Sequence, residues 1–325
     1  MPLVNVQQSL KAGVLRDLMD FWKQSIPTFR KQQELLMRVL PFTSIRNASY
    51  PFKEALPFPR LWNYGTPRNH KTFQDRVIQL NIVPYELTID WSLWDEADDQ
   101  IKDLRQHVQM AVNRYGQLPD VLISEYFNNV AVLNPDLALA YDGVGLFSTV
   151  DGDGNPRFGS AGGNIIVGSG LTVAGIIHDL AAAQRRFLDF VDPTAKRPIL
   201  SPDEVKFTDL HIIGPNEANE VFQRAANSEY IKIDNTNNTS ESNYIKGTFQ
   251  YHLNPYLTDT SDWYVVLRHP YWKPFIYREP QTIESIIGDI NNSDRAREFK
   301  ESMFYTDIRS RLGIMFPATI LKINN

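Results

Sequence analysis

The chain has 325 residues, 42% of them hydrophobic, and a formal net charge of −5. That length allows one or two cores, and the acidic balance argues against a protein whose main task is to bind nucleic acid. No apolar run approaches the roughly 18 residues that span a bilayer, and the start, MPLVNVQQSLKAG, lacks a secretion signal. Without cysteine, disulfides and thiolate chemistry are excluded. We therefore expect a protein that stays in a reducing cytoplasm and has no membrane partner.

The charge is distributed unevenly along the chain. The first 60 residues contain four acidic side chains and nine basic ones. This pattern indicates either a solvated helix face or a basic arm that contacts phosphates or acidic neighbours, and both readings stay open. The basic residues are Lys11, Arg16, Lys23, Arg30, Lys31, Arg38, Arg46, Lys53 and Arg60.

The first ninety residues change pattern three times. Helical spacing runs through residues 1–40 and includes an apolar stripe at Leu35, Leu36, Val39 and Leu40. Five prolines between residues 41 and 68 then make an independent core improbable there, so this segment should lie extended and be buried against something else. Alternation with period two over residues 78–91 predicts a long strand, in which the apolar parity slips at Val83-Pro84 and so requires a bend.

Helices and further strands follow. Acidic residues 95–99 suit the first turn of a helix, and apolar spacing continues that helix to Tyr126, with one break allowed near Gly116 and Pro119. A second helix is predicted from Thr172 to about Asp189, and a third is opened by Pro215. The remainder alternates like strands, so the predicted class is α+β.

Three patterns resemble binding sites, but each lacks a residue or a spacing that the site requires. NIIVGSGLTVAGIIHDL resembles a dinucleotide turn, but Val173 occupies the place of the third glycine. The run from Asp151 to Asn155 begins like a calcium loop, yet Gly162 stands where a bidentate glutamate is required, so a surface turn is predicted. The six histidines are scattered, and none follows metal-ligand spacing. The sequence therefore predicts no enzyme: no catalytic residue, cofactor-binding residue, cofactor or metal site is assigned.

Several segments together resemble the major head subunit family of Mu-like phages and, more distantly, the Hong Kong phage-type capsid fold. They are YELTIDWSLWDEADDQI, YDGVGLFST, LHIIGPNEANEVFQRAANSEYI, NPYLTDTSDWYVV and KPFIYREP, in that order between residues 75 and 280. Some relatives crosslink a loop lysine to an asparagine. Lys71 lies in the corresponding region, and nothing else in the sequence specifies that reaction.

The resemblance implies an α+β Hong Kong phage-type major capsid fold with an N-terminal arm, an extended loop, a peripheral domain built on a long spine helix, and an axial domain. The function implied is that of a major head protein of a tailed bacteriophage, assembling into hexamers and pentamers of an icosahedral shell around double-stranded DNA. The expected boundaries are 1–55 for the arm, 56–91 for the loop, 92–167 for the first part of the peripheral domain, 168–300 for the axial domain and 301–325 for the returning peripheral strand.

The resemblance also implies partners and a location. Partners would be other copies of the chain, separate scaffold, portal and decoration proteins, and packaged DNA held by weak, non-specific contact. The location would be the virion capsid, assembled in the bacterial host cytoplasm. Two alternatives remain open at this point: a nanocompartment shell protein of the same fold, and a soluble nucleotide-cofactor enzyme built around residues 164–190.

Overall fold

A computed structural model describes most of the chain, namely residues 31–40, 47–53, 75–92, 101–134, 137, 139–192, 196–232, 240–278, 285–287 and 301–325. Several predictions fall outside these residues: the helical pattern of residues 1–30, the tip of the predicted loop with Lys71, and the acidic helix start at 95–99.

The described residues form helices and strands in mixed order, as an α+β chain should. The helices are α1 (Lys31–Leu36), α2 (Ile101–Asn128), α3 (Val173–Asp189) and α4 (Asn219–Asn227). The strands are β1 (Met37–Leu40), β2 (Asn47–Lys53), β3 (Asp75–Asn81), β4 (Val83–Ser92), β5 (Ile165–Val167), β6 (Leu210–Gly214), β7 (Tyr230–Lys232), β8 (Ser240–Ser242), β9 (Gln250–Leu253), β10 (Trp263–Leu267), β11 (Phe275–Arg278), β12 (Ser285–Ile287), β13 (Glu301–Ile314) and β14 (Ile320–Asn324).

The long helix α2 is continuous, although Pro119 lies inside it. A proline within a helix removes a backbone hydrogen bond and crowds the preceding turn. The side chain of Gln33 in α1 is buried and donates to the Gly116 carbonyl at 3.3 Å, in the turn that Pro119 disturbs. This contact adds a donor to a carbonyl in that turn and joins α1 to α2.

The first sheet is built around the long strand β13. Residues Glu301–Ser310 pair antiparallel with β4, and the last four residues, Arg311–Ile314, pair antiparallel with β11. Strand β12 lies along the other side of β13, and β1 pairs parallel with β11. The order is therefore β1-β11-β13-β12, with β4 also paired to β13.

The second sheet has the order β5-β14-β10-β6-β9. Its central strand β10 is buried on both faces, and alternate residues enter different cores. Trp263 and Val265 join α3 and α4 in one hydrophobic cluster. Tyr264 and Val266 join a second cluster with the buried face of α2 and with strands β11 and β13. This sheet therefore separates the two cores.

The predicted parity slip connects those cores. The strand is interrupted at Ile82, between β3 and β4. Before the interruption, Ile78 and Leu80 lie in the first cluster, whereas after it Tyr85 and Leu87 pack against the second. The strand is therefore interrupted next to the predicted slip, and the slip places side chains of one extended segment in both cores.

Two sequence predictions differ from the structure. The helical stripe predicted to reach Leu40 ends at Leu36, because β11 offers Met37–Leu40 a parallel partner and this tertiary pairing overrides local helical spacing. The segment 301–325, predicted as one returning peripheral strand, divides at the turn Pro317–Thr319. Strand β13 lies in the first sheet, whereas β14 lies between β5 and β10 in the second.

Within the described residues, no helix is long and apolar enough to cross a membrane.

Candidate functional site

The glycine-rich turn before α3 is occupied by the chain's own contacts. The amide of Ser169 donates to Asp179 at 2.9 Å, and the amide of Gly170 donates to the Asn325 side chain at 2.9 Å. Thr172 caps the helix by accepting from the Gly175 amide at 3.0 Å. These backbone donors are the groups that a dinucleotide phosphate would require, and here they bind the C-terminal residue and the helix itself.

Ser169, His178 and Asp179 also meet at this turn, a combination of residue types found in hydrolases. Ser169 Oγ lies 2.7 Å from Asp179 Oδ1 and 3.0 Å from His178 Nδ1. In a catalytic triad the histidine lies between serine and carboxylate and removes the serine proton. Here the serine lies between the other two and donates directly to the buried carboxylate, so the arrangement fixes the turn and does not activate a nucleophile.

The predicted surface turn at residues 151–155 is confirmed. Asp151 Oδ1 accepts from the amides of Asp153 (3.0 Å) and Asn155 (2.9 Å), as an aspartate-stabilised turn requires. The carboxylate is thus directed at the backbone of its own turn.

A buried ion pair anchors the neighbouring YDGVGLFST segment. Arg157 is 1% exposed and binds both carboxylate oxygens of Asp142, with Nε–Oδ2 at 2.6 Å and Nη2–Oδ1 at 3.0 Å. Its Nη1 donates to the Leu146 carbonyl at 2.8 Å, and the buried Asn164 side chain donates to the same carbonyl at 2.8 Å. A segment poor in regular structure is therefore held by a fixed polar cluster.

Two of the histidines that are scattered in the sequence form a pair in the structure. His211 on β6 and His252 on β9 are 3.1 Å apart, Nδ1 to Nε2, and their rings are parallel within 7°. Burial lowers the pKa of His211 to about 4, assisted by the positive charges of His252, Arg268 and Lys273. Within the described residues, no group of three or more metal-binding side chains occurs. The pair lies near two further cations, Arg268 and Lys273, with which it forms a cationic cluster.

This pair should make the fold less stable in acid. An unfolded histidine titrates near 6.5, so between pH 6.5 and 4 the unfolded chain binds a proton that folded His211 does not. Stability is retained above pH 6.5 and is lost as the pH falls through this window. Because solvent screens the exposed Arg268, we expect a loss of about 1–2 kcal/mol, measured by denaturant unfolding. His211→Gln should flatten the pH dependence and the exposed His178→Gln should not; equal slopes in all three proteins would contradict the assignment.

The β2–β3 hairpin is the structural base of the segment predicted to extend from the body. Its seven residue pairs run from Asn47↔Asn81 to Lys53↔Asp75. Leu80 is fully buried and lies over Gly313 of β13, where a β-carbon would approach the Leu80 Cδ2 methyl to 2.4 Å. Val77, on the opposite face, is 52% exposed. The hairpin is thus anchored at one end through a contact that only glycine permits without displacement.

An ordered apolar surface follows the end of α2. The carboxylate of Glu125 accepts from the amides of Leu133 (2.6 Å) and Asn134 (2.9 Å), which fixes the backbone of this segment. Apolar side chains held exposed on a fixed backbone are typical of contact surfaces. The exposed side chains of this segment are Val130, Val132 and Leu133.

Comparisons with known proteins identify the fold. No protein-family model and no curated protein matches the chain. Solved structures do: the capsid of an empty GTA particle is 9% identical with a TM-score of 0.56, covering 92% of this chain and 92% of that one. The capsid of the cyanophage P-SCSP1u is 10% identical with a TM-score of 0.51, covering 90% and 86%. The procapsid of bacteriophage JBD30 is 14% identical with a TM-score of 0.50, covering 98% and 75%.

The chain has a Hong Kong phage-type major capsid fold. The predicted fold class is therefore confirmed. The features that sequence reasoning did not find are the His211–His252 pair and the Arg157–Asp142 pair. The histidines are 41 positions apart. The tertiary fold sets the pairing of β6 with β9, so no local sequence pattern predicts this contact.

Proposed function

We propose that this chain is the major capsid subunit of a tailed bacteriophage and assembles into the hexamers and pentamers of an icosahedral shell around double-stranded DNA. The observation that carries the proposal is the likeness to capsid and procapsid subunits over 90% or more of this chain. The main partner is then the chain itself. Separate scaffold, portal and decoration proteins, and DNA held by weak, non-specific contact, complete the proposed set.

The surface of the chain supports self-assembly on physical grounds. The apolar segment after α2 exposes Val130 to 49% and Val132 to 74%, and a second protein surface would remove these side chains from water. Standard interfaces bury roughly 1,200–2,000 Å² in total. In a closed symmetric array each copy makes several such contacts, so no single contact has to be strong.

The finer assignments are also proposals. We infer membership of the Mu-like head subunits from the five ordered sequence segments, of which LHIIGPNEANEVFQRAANSEYI supplies β6 and α4. The division into arm, extended loop, peripheral domain and axial domain follows from the same resemblance. The β2–β3 pairing crosses its boundary at residue 55, so the base of the loop includes residues on both sides of that boundary. The proposed location is the virion capsid, assembled in the host cytoplasm.

The proposal can be tested by shortening the predicted loop. Residues 56–74 would be replaced by a short Gly/Ser linker, which retains Lys53↔Asp75, the outermost pair of the β2–β3 hairpin. We expect a folded subunit with unchanged circular dichroism that no longer forms closed shells by electron microscopy and sedimentation. A control variant with Asp153→Ser and Asn155→Ser, both at exposed positions, should form shells like the parent chain.

Three outcomes would count against parts of the proposal. Closed shells formed without residues 56–74 would show that the loop is misplaced. A full-length chain that stays monomeric at high concentration, with scaffold protein supplied, would overturn the shell function itself. Shells purified with protein cargo and no DNA would instead favour the nanocompartment reading.

A further inference from the structure

The connection between β10 and β11, residues 268–274, begins with the sequence RHPYWK at residues 268–273. His269 is buried, and its Nδ1 accepts from the amides of Tyr271 (3.3 Å) and Trp272 (3.0 Å). The imidazole stacks on the Trp272 ring with centroids 4.6 Å apart, and Trp272 packs on Phe316 at 4.9 Å. The loop is therefore ordered by its own contacts before any partner binds.

Two cationic side chains flank the tip of this loop. Tyr271 is 76% exposed, Arg268 is exposed and Lys273 is half-buried. Within the described part of the chain, neither Arg268 nor Lys273 forms an ion pair. Glu34 is the carboxylate that acts on Lys273 at longer range. Neither cation is therefore in contact with a carboxylate of the described residues, and the carboxylate at this loop, Glu204, lies 3.5 Å from His269 Nε2.

Two titratable groups, Lys273 in the loop and His211 on β6, are affected by this positive charge. Burial lowers the pKa of Lys273, and the charge of Arg268 lowers it further. The same two cations act on the buried His211, whose Nε2 has no hydrogen-bond partner. Each of these groups would be stabilised in its charged form by an anion bound above it.

We propose that Arg268, Tyr271 and Lys273 form a site that binds phosphodiester groups of nucleic acid. The assignment rests on the proposed function, which supplies an enclosed DNA, and it specifies a surface that touches it. Arginine and lysine present only hydrogen-bond donors, and the Tyr271 hydroxyl can donate as well. A phosphate presents only acceptors, and arginine, lysine and tyrosine are among the residues that bind it.

Nucleic acid fits this site better than a protein partner does. A neighbouring subunit would offer backbone amides as well as carbonyls, and those amides would meet no side-chain acceptor on Arg268 or Lys273. Two cations per subunit imply weak binding, which agrees with the net charge of −5. Many copies facing one DNA molecule would add their contacts through effective concentration.

The test measures binding of the full-length chain to a short labelled duplex DNA by fluorescence anisotropy, from about 50 to 200 mM salt. Each phosphate contact contributes about 0.9 to the slope of log affinity against log salt, so Arg268→Gln with Lys273→Gln should lower that slope by about 1.8. Tyr271→Ala should weaken binding about tenfold or more, as loss of one hydrogen bond to a charged group would. The control, Arg185→Gln with Lys246→Gln, removes the same charge from two exposed positions elsewhere.

A second readout reports on the site directly. In a histidine NMR titration, the duplex should raise the pKa of His211 in the parent chain and leave it unchanged in the Arg268/Lys273 variant. Equal loss of binding in the test and control variants would show that only net charge matters and would overturn the site. Unchanged DNA binding together with lost shells would assign the loop to a second copy, again overturning the site. Failure of the parent chain to form shells even with scaffold protein supplied would overturn the proposed function without affecting the DNA comparison.

Discussion

Replacing Arg157 with methionine is expected to lower the free energy of unfolding by about 3–5 kcal/mol. Methionine fills much of the same volume, but it leaves the 11%-exposed Asp142 carboxylate without the two donors that bind it at 2.6 and 3.0 Å. The Leu146 carbonyl also loses a bond of 2.8 Å. An unpaired carboxylate that is largely shielded from solvent costs far more free energy than the loss of packing does. Denaturant unfolding measures the difference.

The physical reason can be separated from a general loss of packing. In Arg157→Met with Asp142→Leu, both charges are removed and no buried ion remains unpaired, so the double variant should be more stable than Arg157→Met alone. The exposed pair Arg224–Glu220 on α4 provides the matched control, with side chains 66% and 72% exposed. Arg224→Met should cost less than about 1 kcal/mol. Similar losses for Arg157→Met and Arg224→Met would show that burial does not govern the cost of the unpaired charge.

The sequence predicted those parts of the fold that depend on local periodicity. Helix α3 has the predicted bounds within one residue, with Thr172 as its cap. The parity slip near Val83 predicted the transition from β3 to β4. Both signals are contained in the residues that form the element, because a helix or strand that faces a core must repeat its apolar positions.

Features set by distant pairing escaped prediction. The residues of β1 have helical apolar spacing. They form a strand because β11, more than 230 positions later, supplies a parallel partner. Strand β14 follows β13 closely in sequence but lies in the other sheet. The same holds for the candidate site: the cationic cluster joins His211, His252 and the loop 268–273, which become neighbours only when β6, β9 and β10 align. Single-sequence patterns do not specify such register.

Truncating Leu80 to alanine is expected to cost about 2–5 kcal/mol, the range for a fully buried leucine. The reason is the cavity left between β3 and β13, where Leu80 fills the space above Gly313. Val77→Ala on the same strand provides the control, because Val77 is 52% exposed and its loss should cost less than about 0.5 kcal/mol. Both values are measured by denaturant unfolding.

Because Leu80 and Gly313 are in contact, we expect the losses of unfolding free energy from substitutions at these two positions to be non-additive. A β-carbon at Gly313 would come within 2.4 Å of the Leu80 Cδ2 methyl, so Gly313→Ala alone should cost about 1–3 kcal/mol by overpacking. In the Leu80→Ala background the methyl is absent, and the alanine at 313 enters the vacated space. The double variant should therefore be more stable than the sum of the two single losses predicts. Strict additivity would mean that Leu80 and Gly313 do not share this space, and that the β2–β3 hairpin is held to the body by other contacts.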